Sequence, residues 1–144
     1  MRPVALGVIT TSPTMPLPQR LAELRRELVA LIDEQRPDVV AVEHVFFQVN
    51  VRTAMSVGQA SGLALATAAE AGCRVVQYTP NQVKGAVAGH GGASKAEVQR
   101  MVQARLGLNA PPEPPDAADA AAIALCHLSI APMADRVAAA GSQR

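Results

Sequence analysis

The 144-residue sequence predicts a single α/β domain on three observations. Short β-branched runs alternate with longer segments of helical period, the run at residues 39–42 is too short for a helix, and prolines and glycines mark the joints. At 49% apolar residues the chain can build one compact core and is too short for two typical domains.

Residues 6–11 read as a strand, followed by Ser12-Pro13-Thr14-Met15-Pro16-Leu17-Pro18, a loop no helix interior accommodates. A helix begins near Gln19. Leu21, Leu24, Leu28, Leu31 and Ile32 share one face and Arg20, Glu23, Arg25, Arg26 and Glu27 fill the other, which predicts packing on a sheet. Pro37 follows its end, and residues 39–42 then read as a fully covered strand with Glu43 at its exit. Residues 51–71 form a second helix whose Gly58 and Gly62, four apart, permit close backbone approach by the chain's own sheet or by the same helix of a second subunit.

A strand at residues 73–78 and a short helix at 80–87 come next. The loop Gly89-His90-Gly91-Gly92 feeds Ser94-Lys95-Ala96-Glu97, a capping-box signature ahead of a helix to Leu106. Residues 109–115, rich in proline, deliver Asp116-Ala117-Ala118-Asp119 into the last helix, and residues 132–144 are expected to form a flexible tail.

The net charge of +1 makes no overall case for nucleic acid. Its distribution is uneven: Arg74, Lys84, Lys95, Arg100 and Arg105 face the single anion Glu97, a local balance of +4 that holds both lysines of the chain. Such a run serves a solvated helix surface as readily as a phosphate-binding face. Cys73 and Cys126 lie far apart inside apolar segments without ligand spacing, so they read as reduced core thiols of a cytoplasmic protein. The most apolar stretch, residues 117–131, is broken by Asp119 and His127, and neither secretion nor membrane spanning is indicated.

Three carboxylates stand out. In open parallel sheets ligands bind beyond the carboxyl ends of strands, where Glu43 projects, although an acidic residue that merely starts a loop fits equally well. Asp116 and Asp119 share one helical face in a first turn, where the dipole favours each by roughly 0.3 to 1 kcal/mol. Capping alone explains them, but the Ala-rich helix behind them reads as buried on several sides, and buried carboxylates need a partner such as a divalent cation. Together the three offer a hard, all-oxygen site for Mg²⁺ or Mn²⁺, suited to phosphodiester hydrolysis. The glycine-rich loop and Lys95 lack nucleotide-loop spacing, and among His44, His90 and His127 the last suits a core or cap role.

Glu43-His44-Val45-Phe46-Phe47-Gln48-Val49-Asn50, the run at residues 54–62, Gln82-Val83-Lys84, Ser94-Lys95-Ala96-Glu97-Val98-Gln99 and Asp116-Ala117-Ala118-Asp119-Ala120 resemble, in order and spacing from about Leu6 to Leu128, RuvC, the bacterial Holliday junction resolvase family. The resemblance implies a ribonuclease H-like mixed sheet with flanking helices, a homodimer, and Mg²⁺-dependent nicking of four-way junction DNA with two ions per active site. By position, Glu43, Asp116 and Asp119 resemble three of the family's four acidic metal ligands, and Lys84 and Lys95 its lysines near the scissile phosphate. Phe46 and Phe47 resemble its aromatic wedge on the bases, Arg52 falls in the DNA-binding set, and the helix holding Gly58 and Gly62 matches its dimer interface. The branch-migration proteins RuvA and RuvB are the implied partners.

The family begins with a strand ending in Asp-Pro-Gly, whose Asp is the fourth ligand, and then a second strand; this sequence starts at what resembles the third. It is therefore expected to be N-terminally truncated, by a misplaced start codon or as a fragment, and not to cut a junction as it stands. A non-catalytic dimeric junction-binding module is the competing reading. A hydrolase of small phosphate esters is a third, and it predicts no preference for branched DNA.

Overall fold

The structure, a computed structural model, describes residues 2–44 and 51–141, with the side chains of residues 51–54 and 132–141 outside the description. Its contacts divide the chain into two compact units, Ile9–Gln77 and Met1–Val8 with Tyr78–Arg144.

The unit Ile9–Gln77 holds helix α1 (Leu17–Gln35), strand β1 (Val39–Glu43), helix α2 (Val51–Glu70) and strand β2 (Arg74–Tyr78), whose last residue opens the other unit. Prolines 16 and 18 occupy the N-cap and first turn of α1, where a missing N–H removes no intrahelical bond, so the helix starts two residues earlier than its charge pattern suggests. At its end Arg36 adopts a left-handed φ of 44° and returns its N–H to the Ile32 carbonyl. Strands β1 and β2 are parallel neighbours joined through α2, and their ladder opens with the Arg74 amide donating to the Asp38 carbonyl at 3.0 Å.

Three expectations are corrected here. α1 lays its Leu face mainly on α2, not on the sheet, and none of its residues is fully buried; two short strands give too narrow a floor for a helix of 19 residues. For the same reason β1 is half-buried and not fully covered. Residues 6–11 form no strand: among the described residues no neighbouring ladder takes up their backbone groups, and Leu6 and Val8 are exposed.

Helix α2 ends in a Schellman turn that only a positive φ permits. Gly72, at φ 78°, donates to the Ala69 carbonyl, and the Cys73 amide donates to the Ala68 carbonyl, both at 3.0 Å. Across the α1–α2 contact Arg25 and Glu70 pair at 2.6 Å, but both are more than half exposed, so the pair stabilises little. Among the described residues a Cβ added to Gly62 would meet nothing within 4 Å, so none of them makes a close approach that requires that glycine.

The second unit is a packed trio of helices, α3 (Pro80–Ala88), α4 (Lys95–Leu106) and α5 (Pro115–Gly141). Its core joins Val83 and Val87 of α3, Val98 and Val102 of α4, and Ala117, Ala118, Ala121, Ala122, Leu125 and Cys126 of α5. Capping boxes start α3 and α4: Thr79 with Gln82 and Ser94 with Glu97 exchange side-chain and backbone hydrogen bonds. Gly89 and Gly107 close the same two helices at φ 88° and 65°.

Candidate functional site

Glu43 is the last residue of β1. The half-buried run Val39 to Val42 anchors the strand, and the strand exit leaves Glu43 exposed at its end. Phe46 and Phe47 lie outside the described residues, and of Arg52 only the backbone, in α2, is described.

Asp116 and Asp119 open α5 in the other unit. The Ala117 amide donates to the Pro114 carbonyl, which fixes the first turn, and Ala117, Ala118, Ala121 and Ala122 bury the inner face. Asp116 is thereby exposed and Asp119 half-exposed, a carboxylate supported by packed helix yet open to solvent.

Lys95 opens α4, and its Nζ donates to Asp119 Oδ2 at 2.7 Å. The capping box sets where that lysine stands. Ser94 donates its amide and its hydroxyl to Glu97 Oε2, both at 2.7 Å, and these bonds hold the Glu97 carboxyl below its ordinary pKa, helped by nearby His90 and Arg100. Lys84 lies half-buried on α3 beside buried Val83.

Two further polar contacts of this unit serve packing. Buried Tyr78 pairs its hydroxyl with Nδ1 of half-buried His127 at 2.8 Å, which places His127 at the edge of the core. Arg105 donates Nη1 to the Ala86 carbonyl at 3.1 Å and Nη2 to Ser129 Oγ at 2.8 Å, binding α4 to the end of α3 and to α5. One of the five cations of the basic stretch therefore serves helix packing.

The structure brings together Lys95 and Asp119, and it sets Asp116 one turn before Asp119. Within either unit, among the described residues, no three His, Cys, Asp or Glu side chains gather as a metal-holding cluster; Glu43 stands in one unit and the aspartates in the other. The donors nevertheless suit a hard cation in kind. Both aspartates offer carboxylate oxygens, and one already holds a cationic group at hydrogen-bond distance. A cleft of about 420 Å³ lies at the opposite end of β1 from Glu43, lined by Asp33, Arg36, Asp38 and Cys73 among others, and includes none of the predicted site residues.

Sequence reasoning missed three features. The Thr79-Pro80-Asn81-Gln82 capping box is the same S/T-x-x-E/Q signal that revealed α4 and was readable. The Arg105 clamp and the Lys95–Asp119 pair join residues 24 positions apart or nearly so, and no local pattern encodes them.

Comparison with known proteins places these features in a family. The family model for crossover junction endodeoxyribonuclease RuvC matches residues 1–127. The chain is 51% identical over 136 residues to the crossover junction endodeoxyribonuclease RuvC of Chloroflexus aggregans, covering 94% of this chain and 83% of that one. It is similar to a solved structure of Thermus thermophilus RuvC, with 43% identity and a TM-score of 0.85 over 92% of this chain and 80% of that chain. The same protein solved in complex with Holliday junction substrate gives a TM-score of 0.87 at 43% identity, covering 92% of this chain and 81% of the other. The chain thus spans about four fifths of the length of these relatives.

Proposed function

The chain belongs to the RuvC family of crossover junction endodeoxyribonucleases, and from that premise we propose that it resolves four-way DNA junctions by metal-dependent phosphodiester hydrolysis. The observation that carries this reading is the likeness, at TM-score 0.87, to a RuvC solved with its Holliday junction substrate.

In this reading Glu43, Asp116 and Asp119 converge on Mg²⁺ or Mn²⁺, with two ions in each active site. Such ions, when bound, activate a water and stabilise the leaving oxygen of an in-line displacement. The chain's own residues bind, orient and neutralise. Lys84 and Lys95 face the phosphate under attack, Phe46 and Phe47 stack on bases near the crossover, and Arg52 holds the backbone. The Gly58 and Gly62 face of α2 forms a homodimer, so that two sites meet two symmetry-related strands; among the described residues nothing crowds Gly62, which leaves room for a second copy. RuvA and RuvB are the branch-migration partners, in the cytoplasm; among the described residues no helix is long and apolar enough to cross a membrane.

The test is a synthetic four-way junction with end-labelled strands, incubated with Mg²⁺ or Mn²⁺ and either the purified chain or the chain extended upstream by an Asp-Pro-Gly strand. The nuclease reading expects the extended protein to make paired, symmetric nicks that a linear duplex does not suffer and that E43Q, D116N and D119N abolish. Junction binding without nicks at any concentration of either ion would leave only the non-catalytic binding module, and equal action on branched and linear DNA would remove the junction altogether.

A further inference from the structure

Lys95 and Asp119 are both assigned to the proposed active site, yet they are bound to each other at 2.7 Å. The pairing is not forced by burial: their side chains are 58% and 46% exposed, so each has access to water. Nor is it needed to start α4, since the Ser94–Glu97 capping box satisfies the helix end without the lysine head group. What the ammonium does is electrostatic. Asp116 and Asp119 place two carboxylates one turn apart, where like charges repel, and Lys95 neutralises one of them.

We propose that Lys95 is a resident counter-ion that occupies Asp119 until a divalent cation displaces it, so that metal loading and release of the lysine are one exchange. The proposal deepens the nuclease reading and rests on its assignment of Asp119 as a ligand. The lysine side chain has four methylenes and reaches Asp119 from the first residue of α4, so rotation about its own bonds is enough to leave the carboxylate without moving either helix. The ammonium head released from Asp119 in this way can turn toward a DNA phosphate. Loading is then self-limiting at low metal: Asp119 never stands as an uncompensated anion, and any cation that takes it must outcompete a tethered one.

The experiment measures Mn²⁺ binding to the full chain, in the absence of DNA, from the free-ion paramagnetic resonance signal. It compares wild type, K95M, K95R, D119N and K95M/D119N, with helix content checked by circular dichroism. An exposed pair predicts that K95M tightens Mn²⁺ binding by roughly two- to fivefold at low ionic strength, an effect that shrinks as salt screens the lysine. K95R keeps wild-type affinity, and in the D119N background K95M loses the part of its effect that runs through Asp119, so its gain is smaller than in the wild-type background. K95M binding Mn²⁺ no more tightly than wild type, while D119N binds more weakly, would overturn the exchange and leave the ligand assignment intact. D119N binding as wild type does would overturn both.

Discussion

The hydroxyl of Tyr78, the last residue of β2, lies 2.8 Å from Nδ1 of His127 in the middle of α5, with the two rings tilted at 46° and 6.0 Å apart. A buried phenol thus has its one polar atom satisfied by the histidine that sits two turns beyond Asp119 on the helix bearing the candidate ligands. Y78F removes the hydroxyl and leaves the ring nitrogen without this partner. The expected loss is about 1 kcal/mol of unfolding free energy, read from urea denaturation of the two proteins side by side. An unchanged midpoint would show that water replaces the bond.

Glu97 supplies a pH signature. Its folded-state pKa lies below the ordinary value because Ser94 donates to the carboxylate, so folding favours the ionised form. That contribution is fully present above the unfolded-state pKa and is lost as pH falls through the lower, folded one. E97Q keeps a capping side chain but carries no charge to titrate. The melting temperature of wild type is therefore expected to exceed that of E97Q near neutral pH and to converge on it as the solution is acidified through the carboxylate range.

Two cations of the same basic stretch should separate cleanly. Arg105 spends its donors on the Ala86 carbonyl and Ser129, so R105M is expected to cost about 1 to 2 kcal/mol of stability. Lys84 has no such assignment to packing in the proposed function, where it meets a phosphate. K84Q is expected to leave stability within about 0.5 kcal/mol while weakening junction binding evenly across sequences and lowering the log–log salt slope by about 1. Gel-shift titrations at several salt concentrations, beside thermal melts, read both effects.

The two thiols differ in burial and hence in reactivity. Cys126 has no exposed surface and its pKa is pushed up by burial, whereas Cys73 is partly exposed. Native protein treated with a thiol-specific disulfide reagent is expected to lose one thiol promptly and the second only at the rate of opening. Mass spectrometry of the labelled peptides identifies which reacts first.

Much of the fold was legible because helix ends announce themselves chemically. Ser94 and Glu97 located the start of α4 to the residue, and Asp116 marked the start of α5 to within one. The strands at 39 and 74 were visible as β-branched runs. A strand at residues 6–11 was wrongly expected, since apolar alternation specifies a face and only a neighbouring backbone specifies a strand. On the face read for α1, Leu21, Leu24, Leu28 and Ile32 are half-buried and Leu31 is exposed, and the partner differs from the one expected, because periodicity identifies what must be covered without saying by which element. At the candidate site the acidic residues stand out by their place at a strand exit and a helix start, the lysines only through the family resemblance, and the roles of both are proposed. Their pairing was not legible, because Lys95 and Asp119 meet only once α4 and α5 have packed.

The inner surface of α5 at its start is made of Ala117, Ala118, Ala121 and Ala122, each almost wholly enclosed. Alanine has no rotamer to choose, so this contact loses no side-chain freedom on assembly and has no alternative arrangement to slip into. Two aspartates mounted on such a surface inherit its lack of play. Any enlargement beneath them, even by a few methylenes, displaces the carboxylates together with the helix, which makes the least conspicuous residues of the chain the ones that set how sharply its acidic edge is aimed.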